Sequence, residues 1–305
     1  VQERTGAPRR GVLCVGIATL DHVFAVDAMP RTAEKHRAHD LATVGGGIAA
    51  NAAVAVARLG GRSVLATRLG DDPTGDAIIA ALERDGVDCS LAFRGAGLRS
   101  PLSAVIVDAA GERLVLSYSD PRMPAALDVI PSKLPIGMQA VMADTRWEEG
   151  ALAAFAAARA SGGHGVLDAD RAPKAKRLLN AATHVAFAAQ ALREMTGRHD
   201  LQTGLAELAR SASNWLAVTD GPRGVYFSEN GAIVHEPAIP VRAVDTLGAG
   251  DVFHGALALA LAEGMPERRA VRFAAAAAAL KCTRFGGREG APSRPEVEAM
   301  LATAP

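Results

Sequence analysis

Short apolar runs alternate with alanine-rich helical stretches along most of this chain, and that alternation limits its fold more than any other feature. Strand-length runs at 11–16, 63–69, 140–143, 165–167, 184–187 and 215–219 are separated by glycine or polar turns. Helical stretches at 48–59, 73–85, 149–160 and 189–195 fall between them, and two more close the chain at 266–283 and 294–301. Repeated strand–helix units of this length predict an α/β fold: three αβα layers around one mostly parallel sheet. One insertion breaks the rhythm. The runs 103–107 and 113–118, joined by DAAGE, read as an antiparallel hairpin, a small β lid beside the main sheet built from about 20–45 and 98–120.

The most chemically loaded stretch is VDTLGAGDVFHGALALALAEG at 244–264, a glycine-rich turn running into a helix that is apolar on nearly every face. Gly248 and Gly250 allow tight turns and a close approach of ligand to main chain. The first N–H groups of the helix then face that ligand unpaired, with the positive end of the helix dipole behind them, which suits a phosphate. Asp251 lies in the first turn, where the dipole is expected to keep its carboxylate ionised and able to take a proton. A plain capping Asp on a core helix fits the same residues.

Lysine plus arginine match aspartate plus glutamate at 33 each, so no net field favours nucleic acid or an anionic membrane. Cys14, Cys89 and Cys282 are too few and too scattered for a disulfide framework or a zinc site. No apolar run reaches the length of a membrane span, and residues 1–10, VQERTGAPRR, read as a loose tail without the apolar core of a signal peptide. The expectation is a cytoplasmic protein. There is no Gly-x4-Gly-Lys-Ser/Thr, HRD, DFG or GxGxxG in the right setting, which removes the phosphate-loop NTPases, protein kinases and dinucleotide folds. Asp21, just past the first strand, is placed to bind hydroxyls. Gly45, Gly46 and Gly47 before a helix again permit a close ligand approach.

DTLGAGD followed by an apolar helix resembles a signature of the ribokinase-like (PfkB) family of sugar and nucleoside kinases, and GGGIAANAAVAVARLGG at 45–61 resembles the other. They stand in the family's order. The resemblance implies Asp251 as catalytic base, the amides of Gly248, Ala249 and Gly250 as the anion hole, and Asn51 with the glycines on the sugar. It further implies ATP along Thr219, Gly221 and Gly224 and against Gly286 and Gly287. Asp245 and Thr246 would lie near the phosphates and a monovalent cation such as K+. Mg2+ is expected with the ATP. The family's Asn-x-x-Glu motif is missing, with Ala188 and Ala191 at its positions, so Asp168 and Asp170 are the candidates for an outer magnesium shell. The lid pairs subunits in the family, which implies a homodimer.

Below family level, ADTRWEEGA and AALKCTRFGGREG resemble the 6-deoxy-6-sulfofructose kinases. That resemblance implies Lys35 and Arg146 on a sulfonate, which a guanidinium suits, with Ser117 where an Asn is more common. Phosphorylation of 6-deoxy-6-sulfofructose to its 1-phosphate is the leading expectation. Other sugars (fructose 6-phosphate, 2-keto-3-deoxygluconate, ribose, fructose) and a non-catalytic sugar-binding pseudokinase are the alternatives.

Overall fold

The computed structural model describes residues 10–126, 128–173 and 176–303, so the tail expected at 1–10 lies almost wholly outside the described residues. In chain order the strands are β1 (Gly11–Val15), β2 (Thr19–Ala25), β3 (Asp40–Gly46), β4 (Arg62–Ala66), β5 (Arg68–Gly70), β6 (Val87–Asp88), β7 (Phe93–Gly95), β8 (Leu102–Val107), β9 (Arg113–Tyr118), β10 (Met138–Ala143), β11 (His164–Ala169), β12 (His184–Ala188), β13 (Trp215–Thr219), β14 (Val225–Glu229) and β15 (Ala232–Glu236). The helices are α1 (Ile48–Arg58), α2 (Pro73–Arg84), α3 (Glu148–Ala160), α4 (Lys176–Ala181), α5 (Ala189–Thr196), α6 (Leu201–Ala209), α7 (Ala249–Ala262), α8 (Glu267–Cys282) and α9 (Arg294–Thr303).

The main sheet runs β15-β14-β13-β12-β11-β10-β1-β4-β6, parallel from β13 to β6 and closed at the other edge by the antiparallel pair β14 and β15. Period-two alternation sends successive side chains to opposite faces. Val12 and Cys14 join the core under α1, α7 and α8, whereas Leu13 and Val15 join the one under α3, α5 and α6. That split makes the three layers. The chain leaves β1 toward β4 and β6 on one side and later toward β10 to β13 on the other, so the carboxyl ends of β1 and β10 flank the point where strand order reverses. Ligands of open α/β sheets collect at such a crevice.

A second sheet, β3-β2-β8-β9, stands apart from the first, with β2 and β8 parallel and both outer pairs antiparallel. The lid segment expected at about 20–45 holds β2 and β3, and Asp21, expected in a loop, lies in β2 opposite Val44 and Ser103. The run expected as one strand at 63–69 breaks at Thr67 into β4 and β5, which belong to different sheets. Helix α6 and the β14–β15 hairpin were not read as elements. All three cysteines are free, with Cys14 and Cys89 buried. No helix among the described residues is long and apolar enough to cross a membrane.

Candidate active site

Two alanine-faced helices make the site. A Cβ at Gly255 of α7 would stand 2.5 Å from the carbonyl oxygen of Ala52 in α1, so only glycine there lets the helices come this close. The close crossing brings Asn51 to Asp251, and its Nδ2 donates to Asp251 Oδ2 at 2.7 Å across 200 residues of sequence. Asn51 Oδ1 is buried and has no partner among the described residues. Unpaired buried acceptors are rare, and a ligand hydroxyl would satisfy this one.

Gly248 caps α7 in a left-handed conformation at φ 76° and supplies no side-chain cap. Ala249 N–H turns back onto Thr246 O at 3.2 Å, so it is not part of an open anion hole. The N–H groups of Gly250 and Asp251 meet no acceptor among the described residues, and a Cβ at Gly250 would meet no atom within 4 Å. No side chain packs into that space. Gly45 and Gly46 differ: a Cβ at either would strike the Arg288 guanidinium or the Asp21 carboxylate. These glycines make room for the protein's own side chains. Half-buried Asp21 accepts from Thr19 Oγ1 at 2.9 Å, and burial raises its pKa.

The dipole does not hold Asp251 at an ordinary carboxylate pKa. Burial first, and then the charge of Asp168, push it up to about 7. Asp168 and His254 lie one layer below, 2% and 3% exposed. His254 Nδ1 faces Gly250 O at 2.7 Å and Asp168 Oδ2 at 3.0 Å, while Nε2 faces Ala186 O at 3.1 Å. Both ring nitrogens meet only acceptors, which requires the doubly protonated ring. Burial alone would lower its pKa, but Asp168 and the carbonyls outweigh it and raise it to about 9. The sequence reading missed His254, whose place on an all-apolar helix gave no signal beyond being polar there.

Asp144, at the end of β10, was also missed. It is fully buried, and its carboxylate accepts from Ile17 N at 2.8 Å, Ala49 N at 3.3 Å and Arg146 N at 2.7 Å. It thereby serves the first turn of α1, which Gly47 cannot cap. Burial moves its pKa up to about 6 against those donors.

A cavity of about 430 Å³ opens over the β1–β10 crevice, lined by Gly16, Ile17, Thr19, Thr67, Ser117, Ser119, Asp120 and three arginines, Arg68, Arg146 and Arg171. Thr67 Oγ1 is buried without a partner. The structure therefore brings Ser117 and Arg146 together at one wall. It does not bring Lys35, which is exposed on the loop between β2 and β3. Arg146 is already engaged in a two-pronged pair with Asp170, at 2.9 and 2.6 Å. Among the described residues Arg171 hydrogen-bonds only Thr145, through its hydroxyl at 3.2 Å and carbonyl at 3.5 Å. Burial, then repulsion by Arg146, lowers the Arg171 pKa.

The expected magnesium residues have other partners: Asp170 holds Arg146 and Asp168 holds His254. Ala188 ends β12 and Ala191 is buried in α5. Among the described residues no cluster of three or more His, Cys, Asp or Glu could hold a metal. Magnesium, which keeps water and phosphate ligands readily, finds no protein cage here. On the other flank, Gly286 and Gly287 direct their N–H groups to Asp245 Oδ2 at 3.2 and 3.3 Å, so the 244–247 and 282–287 loops form one unit beside the α7 terminus. Thr246 is exposed next to it. Thr219 anchors β13 to β12 by donating to Phe187 O, and Gly221 opens a short 3-10 turn before Gly224. A Cβ at Gly224 would meet Glu236 O at 2.2 Å, whereas the space beside Gly221 is open.

The family model for the pfkB family carbohydrate kinases matches residues 9–294. The chain is 29% identical to the ribokinase of Bacillus subtilis, over 96% of this chain and 99% of that one. It is 32% identical to the fructokinase of Klebsiella pneumoniae, over 84% and 91% of the two. Among solved structures, a candidate ribokinase from Agrobacterium tumefaciens superposes with a TM-score of 0.86 at 41% identity, covering 96% of this chain and 98% of the other. The ribokinase of Thermotoga maritima gives 0.83 at 25% identity, covering 96% and 100%. The match spans both sheets and every element of the site, and this chain belongs to the pfkB family of carbohydrate kinases, phosphotransferases with an alcohol group as acceptor.

Proposed function

We propose that this ATP-dependent kinase phosphorylates a sugar carrying an anionic group at the end remote from the acceptor hydroxyl, 6-deoxy-6-sulfofructose being the first choice, with the 1-phosphate as product. The observation that carries the reading is the arginine wall of the 430 Å³ cavity. Arg146 has a carboxylate partner, while among the described residues Arg171, crowded against Arg146, and Arg68 have no ion pair of their own. An anion between them would relieve that repulsion and accept planar, two-pronged hydrogen bonds. Ser117 and Thr67 supply hydroxyls on the same walls.

In this reading Asp251 takes the proton from the acceptor hydroxyl, and the free N–H groups of Gly250 and Asp251 stabilise charge on the moving phosphoryl group. Asn51 Oδ1 and Asp21 hold neighbouring sugar hydroxyls. ATP lies between the Thr219–Gly224 turn and the joined 244–247 and 282–287 loops, bringing Mg2+ on its own phosphates. The small sheet acts as a lid. Its β9 residues Leu114, Leu116 and Tyr118, with Leu41 of β3, are 39–63% exposed on one side of the sheet, an apolar face that a second copy of the chain would cover. Light scattering on wild type and Leu116→Asp tests that dimer.

The substrate test is ADP release with ATP and magnesium against sulfofructose, fructose 6-phosphate, 2-keto-3-deoxygluconate, ribose and fructose. Preference for one of the first three supports an anion-binding wall and names the anion. Preference for ribose or fructose removes the anion from the reading and leaves the kinase chemistry.

A further inference from the structure

The family resemblance calls for a monovalent cation beside Asp245, so the acceptors that Asp245 offers decide whether such an ion fits. Its Oδ1 already receives Arg113 Nη2 at 2.8 Å and Leu247 N–H at 2.9 Å. Its Oδ2 receives Lys281 Nζ at 3.1 Å and the N–H groups of Gly286 and Gly287. The main-chain oxygen of Asp245 receives Lys281 Nζ as well, at 2.8 Å. A carboxylate offers about four acceptor sites, and here five donors share them. Burial would raise this carboxyl, but Leu247, Lys281, Gly287 and Arg113 outweigh burial and hold it well below the usual carboxylate range.

Lys281 itself stands at the end of α8 with no exposed surface. A buried ammonium is costly unless it is paired and hydrogen-bonded. This one has both: a carboxylate and a carbonyl from the same residue. It also sits in the last turn of its helix, where the dipole favours a cation. An alkylammonium carries the charge of a potassium ion at a similar size and prefers the same oxygen donors. The residues present therefore do not fit an exchangeable ion at Asp245, because its acceptors are filled by two cations of the chain.

We infer that the Lys281 ammonium is a built-in monovalent cation, joining the loop that leads into α7 to the loop that follows α8, so that this kinase works without added potassium. Arg113, reaching from the small sheet to the other carboxylate oxygen, ties that sheet to the same loop. The strap is covalent to the fold rather than drawn from solution.

The test replaces tetramethylammonium by potassium at fixed ionic strength, which separates ion binding from screening. Turnover with the preferred sugar is followed, together with the melting temperature of the protein without substrate, so the result does not depend on the sugar's identity. Expected is a change in turnover of less than about twofold and no stabilisation, since an ion that binds the native state raises stability by linkage. A rise of about tenfold or more, or melting that climbs with potassium but not with tetramethylammonium, would overturn the inference. Lys281→Ala is the second arm. It should lose turnover and regain it, or regain melting temperature, with potassium or ammonium. A folded Lys281→Ala protein that responds to neither ion would also overturn it, and if the variant does not fold the wild-type arm decides.

Discussion

Replacing Asp251 with asparagine should remove catalysis and at the same time stabilise the protein. On unfolding, the carboxyl ionises near pH 3.8, but in the fold it ionises near 7. Between those values the native protein holds a proton that the unfolded chain has released, so stability falls as pH rises through that window and stays lowered above it. A shift of about three units corresponds to ~4 kcal/mol. Asp251 is partly open to solvent, which reduces the expected figure to about 2 kcal/mol. Asparagine cannot ionise and can still pair with Asn51, whose Oδ1 is free. Asp251→Asn should therefore gain about 2 kcal/mol at pH 8, roughly 4 °C in melting temperature for a chain of this size, and almost nothing at pH 4. Turnover should drop by roughly 10² to 10⁴ while ATP still binds. In the wild type, kcat/KM should fall tenfold per unit below about pH 7, as the base protonates. Calorimetry at the two pH values with an ADP-release assay reads all of this. A variant less stable than wild type at pH 8, or stabilised equally at both pH values, would refute the claim that burial and Asp168 hold this carboxyl high.

Further substitutions probe other parts of the site. His254→Asn leaves the Asp168 carboxylate buried without its charged partner and should cost about 3–5 kcal/mol in denaturant titration, most of which the double variant with Asp168→Asn should recover. Arg171→Met should raise KM for an anionic sugar by about tenfold or more and leave KM for ATP unchanged, whereas Lys35→Met should leave both within about twofold; the KM pair decides between the two cations. Gly250→Ala should melt within about 1 °C of wild type, since its Cβ meets no protein atom, yet lose kcat because that Cβ enters the space where the phosphoryl group would pass.

The three-layer fold was legible because it is written in local patterns: short, nearly continuous apolar runs in β1 and β10, as buried parallel strands require, and continuous apolar faces in α1 and α7. Asn51 and Asp251 were legible as motif members, and their contact follows from glycine at 255, itself part of the second motif. The small sheet was only half legible. Its β8–β9 hairpin carries a turn and β-branched residues, but β3 reads DLATVGG, with too few apolar positions to stand out from loop. The break at Thr67 was not legible either, since SVLATRL runs on without a turn residue and only the change of partner strand ends β4.

Charges were the least legible, for a physical reason that bears on how such motifs are read. A motif says that a charged side chain lies near a ligand, but whether the group is free to meet the ligand depends on a partner whose position only the fold decides. Arg146 was read as a sulfonate holder, and Asp170, 24 residues on, takes both prongs of its guanidinium. Asp168 of β11 was read as a magnesium residue, and His254 of α7 takes it. Asp245 was read as a cation ligand, and Lys281 supplies the cation, 36 residues away. In each case a buried charge is stable only when compensated, so a residue with an internal counter-ion has less to offer a ligand. By that criterion, the groups around the cavity and the α7 terminus left open among the described residues include Asn51 Oδ1, Thr67 Oγ1, the N–H groups of Gly250 and Asp251, and the Arg171 and Arg68 guanidiniums. In the proposed reading they supply hydroxyl acceptors, a phosphate cradle and, in Arg171 and Arg68, cations with no carboxylate partner among the described residues. That set is the basis for proposing an alcohol substrate with an anionic tail rather than a neutral sugar, and Arg171 and Arg68 are the residues on which the difference rests.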